Sequence, residues 1–138
     1  MFQYENTAKG KVSIGKLWEL YSDVRQWPKW DSDMQNVTLE GDFIAGTKGT
    51  MFMKEMPPLP FVLDEVKNGE AFVNSSTLGE ITVAFGHFIT NDGNDEYTLK
   101  HTVTITGPNE AQLQGMGQKI VSSIPANMKN LFNLAAIE

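Results

Sequence analysis

The two histidines of the chain, His87 and His101, are its leading candidates for chemistry. Each sits in a stretch where every second residue is apolar. Ile81, Val83, Phe85, His87 and Ile89 share one face; Tyr97, Leu99, His101, Val103 and Ile105 share another. Such alternation marks strands with one buried face, so both imidazoles are expected on inward faces of neighbouring strands, looking into the same space. Burial disfavours the charged form of an imidazole and lowers its pKa. A neutral imidazole both donates and accepts, which suits general acid–base work or the orientation of a ligand. The competing reading for each histidine is a core residue bonded to a backbone carbonyl or a tyrosine. Tyr97 shares the face of His101 and can supply a third polar group.

Other chemistries fail on spacing or composition. Gly46-Thr47-Lys48-Gly49-Thr50 lacks the phosphate-loop spacing, and Gly115-Met116-Gly117 falls inside a helical pattern rather than after a strand. No serine stands in a nucleophile elbow. Asp92, Asn94 and Glu96 lack the order of a calcium loop, and no close histidine pair supports zinc. The absence of cysteine removes thiol catalysis and disulfides and fits a reducing compartment. No metal and no cofactor are expected. A net charge of −6 with scattered basic residues argues against a nucleic-acid partner. No apolar run approaches the roughly 20 residues of a membrane span, and the opening residues show no secretory signal. The expected location is the cytoplasm, with no membrane insertion.

The elements that must position these groups are legible from period and punctuation. Phe2, Tyr4, Asn6 and Ala8 alternate with polar residues as a first strand. Ser13 can cap a helix with Ile14, Leu17, Trp18 and Tyr21 on one face. Asp23 and Gln26 match a capping box for a short helical turn, which Pro28 is expected to close. Strands follow at about 37–39, 50–56, 61–66, 72–77, 81–90 and 97–106, with turns at Asn68-Gly69, Gly79 and residues 91–94. The prolines among residues 57–60 must bend or interrupt the chain. After Gly107-Pro108, Asn109 can cap a long helix running to the end of the chain. Its stripe is Leu113, Met116, Ile120, Ile124, Met128, Leu131 and Ala135, and Pro125 should kink it. Gly115 and Gly117 within it read as close packing on the sheet or as a hinge. With no repeat or linker, 1–138 reads as a single domain.

Several segments, taken in order, resemble a known family. They are Leu17-Trp18, Trp27-Pro28-Lys29-Trp30-Asp31, Gly46-Thr47-Lys48-Gly49-Thr50 and Gly86-His87-Phe88, then Leu99-Lys100-His101-Thr102-Val103, Gly107-Pro108 and Ile124-Pro125-Ala126-Asn127-Met128-Lys129-Asn130-Leu131. Together they resemble the helix-grip domains of the START-like (SRPBCC) superfamily, and within it the polyketide cyclase/dehydrase-like group. The resemblance implies an α+β helix-grip fold. A curved antiparallel sheet of about seven strands would wrap around the long C-terminal helix, with two short helices after strand 1. It also implies a cavity between sheet and helix, and family members bind lipids, hormones or polyketides.

The apolar candidates to line that cavity come from every layer. Trp18 stands on the first helix; Phe52, Phe61, Phe72, Phe85, Tyr97 and Leu99 stand on strands; Met116, Ile120 and Met128 stand on the last helix. Seven methionines suit an adaptable lining. The first functional reading is therefore the binding of a small, largely apolar molecule, lipid- or polyketide-like. The second is a polyketide cyclase/dehydrase-type enzyme using His87 or His101 as general acid–base. A third, a partner-protein adaptor, requires a large exposed apolar patch.

Overall fold

Alternating apolar and polar residues produce seven strands in the computed structural model, which describes residues 1–137. They are β1 (Phe2–Lys11), β2 (Met34–Leu39), β3 (Lys48–Met53), β4 (Leu59–Lys67), β5 (Ala71–Leu78), β6 (Ile81–Gly93) and β7 (Glu96–Thr106). All pair antiparallel in one sheet of order β1-β7-β6-β5-β4-β3-β2. From β2 onward each strand thus pairs with its successor, and β1 closes onto β7. The register shifts between Met34 and Asn36 and between Leu63 and Glu65. Such irregularities bend a strand and raise its twist, which lets the sheet curl. Gly69, at φ 76°, supplies the left-handed residue of the β4–β5 turn. The β6–β7 turn is Asn94-Asp95, both at positive φ as a tight hairpin demands, slightly beyond the expected turn at 91–94.

Between β1 and β2 lie α1 (Ile14–Ser22), a 3-10 turn (Val24–Gln26) and α2 (Trp27–Trp30). The Ser13 side chain accepts from the Lys16 amide at 3.4 Å, and the Asp23 carboxylate accepts from the Arg25 amide at 3.1 Å. The Gln26 side chain reaches Glu19 at 3.0 Å, so the expected capping box is only half formed. Pro28 opens α2 instead of closing the turn before it. The first turn of a helix has no acceptor waiting for the amide hydrogen that proline lacks, so the residue fits there.

The C-terminal helix has two segments, α3 (Glu110–Val121) and α4 (Ile124–Leu134), separated at Ser122-Ser123. Asn109 caps α3 by accepting from the Gln112 amide at 3.1 Å. Pro125 stands in the first turn of α4 and cannot donate back to the preceding turn, so the axis breaks just before it. The helix ends at Leu134 rather than running on, because Ala136 bridges to Val12 beside β1. α3 packs over β1 and β7, while α4 packs on α1, α2, β1 and β7. A Cβ on Gly117 would meet the Phe2 ring at 2.6 Å, so the missing side chain makes room for that ring between α3 and β1. That is the packing role; Gly115 touches nothing comparable.

The result is the α+β helix-grip arrangement, a curved seven-stranded sheet around a long bent helix. Among the described residues no helix is long and apolar enough to cross a membrane. The large apolar side chains left exposed among them are Met1, Ile44, Met56, Leu78, Leu134 and Ile137.

Candidate functional site

The register of β6 on β7 sets His87 directly opposite His101, with ring centroids 4.7 Å apart. Both are buried. Tyr21, delivered by α1, hydrogen-bonds through its hydroxyl to Nε2 of His101 at 2.7 Å. Nδ1–H of His87 donates to the Phe72 carbonyl across the β5–β6 pairing at 3.2 Å. A carbonyl can only accept, so this bond fixes the tautomer and leaves Nε2 of His87 as an acceptor. The Phe72 ring also lies flat on the His87 ring, 3.9 Å between centroids. Tyr97 is not part of this cluster; it pairs with Asn91 near the far end of the strands. Tyr21 stood on the apolar face of α1 in the sequence, but only the docking of that helix brings its hydroxyl to an imidazole.

Two tryptophans brace the same helix. The indole N–H of Trp27 donates to the Tyr21 carbonyl at 2.8 Å, and that of Trp30 donates to the Leu20 carbonyl at 3.0 Å. Carbonyls in the last turn of a helix lack intrahelical partners, so α2 satisfies the end of α1 while burying two large rings. Trp27 then stacks on Phe72 at 5.7 Å and leans on Phe61 at 5.5 Å.

Burial governs the titration of the cluster. It pushes the His101 pKa down from 6.5 to about 3. His87 falls well below the ordinary range through burial first and the proximity of His101 second. Burial alone pushes the Tyr21 phenol far above its usual value. At neutral pH all three are uncharged.

Beside this cluster a cavity of about 700 Å³ opens between the sheet and the α3–α4 junction. Met51, Met53, Leu59, Val83 and Phe85 wall it from the strands. Trp30 and Met34 close one side, and Met116, Ile120 and Ile124 roof it from the helices. His87 and His101 stand in its wall, and the exposed residues Lys54, Glu55, Met56, Leu78 and Lys119 form its rim. Asp31 and Asn127 also face it. Burial raises the Asp31 pKa against a bond from the Asp33 amide at 3.0 Å that lowers it. Asn127, off the apolar stripe by periodicity, is buried where α4 meets the α2–β2 loop and accepts from the Ser32 amide at 3.4 Å.

Of the residues expected to line the cavity, Phe85, Met116 and Ile120 do so, together with both histidines. Phe61 and Phe72 are instead packed into the aromatic cluster around Trp27. Tyr97, Leu99 and Met128 are buried in the core away from the cavity, and Met128 accepts from the Asn6 side-chain amide through its sulfur at 3.2 Å. Trp18 packs at the outer end against Phe43, 6.2 Å between centroids. Phe52 does not line it because Met51 and Met53 are the β3 residues that do, and alternation sends Phe52 to the other face.

The sequence reading passed over Asn74, which faces the cavity from β5. Counting by twos from Phe72 reaches Asn74 and then Ser76, so the signal was present as polar residues on an inward face. Oδ1 of Asn74 and Oγ of Ser76 have no hydrogen-bond partner among the described residues, although each residue is only 2% exposed. Leaving a buried polar atom unpaired costs about 1–3 kcal/mol.

Sheet, bent helix and interposed cavity make up the helix-grip fold. Individual solved structures agree. Norcoclaurine synthase from Thalictrum flavum superposes with TM-score 0.76 at 14% identity, covering 99% of this chain and 87% of that one. The same enzyme has been solved in complex with dopamine and hydroxybenzaldehyde, with TM-score 0.72 at 14% identity, covering 96% of this chain and 85% of that one. Ara h 8.0201 superposes with TM-score 0.73 at 15% identity, covering 94% of each chain. StfQ, a di-domain ARO/CYC from the steffimycin biosynthetic pathway, gives TM-score 0.78 at 10% identity, covering 96% of this chain and 50% of that one. The sequence matches no family model and no curated protein.

Proposed function

We propose that this chain binds a small, largely apolar molecule, lipid- or polyketide-like, in the cavity between its sheet and its C-terminal helix. The observation that carries the reading is the cavity itself. Its volume of about 700 Å³ falls within the roughly 300–1,000 Å³ of small-molecule sites. Methionine, aliphatic and aromatic side chains make up much of its lining, as in such sites, joined by inner polar groups such as Asp31, Asn74, Asn127 and the two histidines and by a charged rim at Lys54, Glu55 and Lys119. Methionines on both the strands and the helix let the lining adapt to shape. Structural neighbours that hold small aromatic molecules or act in polyketide pathways add support. A cysteine-free chain goes with a reducing compartment, and the reading places the protein in the cytoplasm.

A cyclase/dehydrase-type enzyme is the second reading, favoured by the position of His87 and His101 in the cavity wall. Their basicity weighs against it. Proton transfer is most effective when the pKa of the group lies near the working pH, and His101 sits at about 3. The hydroxyl of Tyr21 also occupies its Nε2.

The test is displacement of the dye 1-anilinonaphthalene-8-sulfonate by lipids, steroids and aromatic polyketides. Wild-type protein is expected to bind the dye and release it to at least one class. Ile120→Trp, which fills the cavity from α3, should weaken binding at least about tenfold with little change in urea midpoint, because the new ring enters open space. Failure of every class to displace or bind would end the proposal.

A further inference from the structure

His87 uses only one of its two ring nitrogens on the protein. Nδ1–H donates to the Phe72 carbonyl, which leaves Nε2 an acceptor with no partner among the described residues. That nitrogen is not sealed in either. Among the described residues, the side-chain atoms both unpaired and cut off from any probe are Oδ1 of Asn74 and Oγ of Ser76. His87 is 7% exposed and stands in the cavity wall, so the accessible part of its ring faces the cavity. The neighbouring ring is fixed by similar accounting. Tyr21 is fully buried, and its hydroxyl bonds to Nε2 of His101. Were that nitrogen protonated, the hydroxyl hydrogen would be a buried donor with nothing to meet. Tyr21 therefore donates, and neutral His101 carries its proton on Nδ1. The wall thus presents an acceptor on one ring and a donor on the other, with centroids 4.7 Å apart. Stacking on Phe72 and the bond to its carbonyl account for the rest of the His87 ring and leave Nε2 unexplained.

We propose that Nε2 of His87 anchors the bound molecule by accepting a hydrogen bond from its hydroxyl, with Nδ1–H of His101 as the donor beside it. The ligand is then an apolar body carrying a phenolic or alcoholic hydroxyl, a group that donates and accepts at one atom. The low basicity that weighs against proton transfer suits this task. A buried imidazole that stays neutral at pH 7 keeps its lone pair for the ligand. The hydroxyl is recognised and keeps its proton. A molecule without that hydrogen leaves the nitrogen unpaired and is discriminated against.

This inference rests on the ligand-binding reading, and the experiment separates the two. Dissociation constants are measured by dye displacement for 2-naphthol and for 2-methoxynaphthalene, which differ in the presence of a donor hydrogen. Wild-type protein should prefer 2-naphthol by about tenfold. In His87→Leu the preference should shrink to within about twofold, chiefly through weaker 2-naphthol binding. Imidazole nitrogen NMR of the unaltered protein gives a second readout that needs no variant to fold, and with two histidines the signals are few. Both rings should appear as Nδ1–H tautomers. Adding 2-naphthol, but not its methyl ether, should shift the unprotonated nitrogen of His87 upfield. Equal binding of the two compounds, a preference that survives His87→Leu, or a His87 signal indifferent to 2-naphthol each overturns the anchor and leaves the cavity reading standing. Binding of neither compound also overturns the anchor, and the cavity reading then rests on the wider set of lipids, steroids and polyketides.

Discussion

The inner face of the sheet is covered in two different ways. At one end α1 and α2 deliver Tyr21 and Trp27, which interlock with Phe61 and Phe72 of the strands while Phe43 packs on Phe72, at centroid separations of 5.1–5.7 Å. At the other end α3 offers Met116 and Ile120 opposite Met51, Met53 and Val83, and about 700 Å³ stays open between them. Both ends use the same strands and the same alternation. They differ in what covers them. Rings of two helices fill the first; methionine and aliphatic side chains, with Trp27, Trp30 and Phe85, border the second. Stability is concentrated where the rings interlock, and capacity to hold a ligand where they do not. The histidine pair stands on the boundary, with Phe72 against His87 and the cavity beyond.

The contrast breaks first if the packed end proves tolerant. Phe72→Ala removes a fully buried ring and should cost about 3–5 kcal/mol of unfolding free energy in urea titration. A loss under about 1 kcal/mol would show that the aromatic end is no better packed than the cavity. The boundary is probed by acid. His101 has a folded pKa of about 3 against an ordinary 6.5, so between these values the unfolded chain binds more protons. Stability is then full above about pH 6.5 and falls as the pH drops towards 3. His101 alone should remove about 2 kcal/mol by pH 5, and His87 acts in the same direction. Urea midpoints from pH 7.5 to 5 read this slope, and His101→Asn should make it shallower. A flat profile in wild-type protein would mean that the imidazoles are reached by solvent. The smallest effect belongs to the cavity wall. Met53→Ala should change stability by under about 1 kcal/mol, since its side chain already borders open space, while altering the affinity for 1-anilinonaphthalene-8-sulfonate. A loss comparable to that of Phe72→Ala would erase the distinction between the two ends.

Much of the frame could be read directly. Alternation placed the inward residues of β6 and β7 and put His87 and His101 on inward faces of neighbouring strands, because side-chain direction along a strand is a local property; their direct pairing came from the register. Capping chemistry marked the starts of α1 and α3 at Ser13 and Asn109. Pro28 was misplaced because a proline that ends one turn and a proline that opens the next helix look alike in sequence. Phe52 was assigned inward on hydrophobicity although its strand's own alternation puts Met51 and Met53 there. Asn74 and Ser76 are legible as polar residues at inward positions of β5, two and four places beyond Phe72, yet polarity alone does not mark a buried position.

By itself the sequence determined the order of elements, the buried face of the longest strands, the caps of α1 and α3 and the break before Pro125. Tertiary structure decided that Tyr21 rather than Tyr97 meets His101, that Phe61 and Phe72 fill space while Phe85 borders it, and that the opening lies under Met116 and Ile120. The reason is physical. Strand alternation and helix caps depend on residues a few positions apart, whereas a cavity is the volume an enclosing shell leaves after all its side chains are placed, and that remainder depends on every element at once.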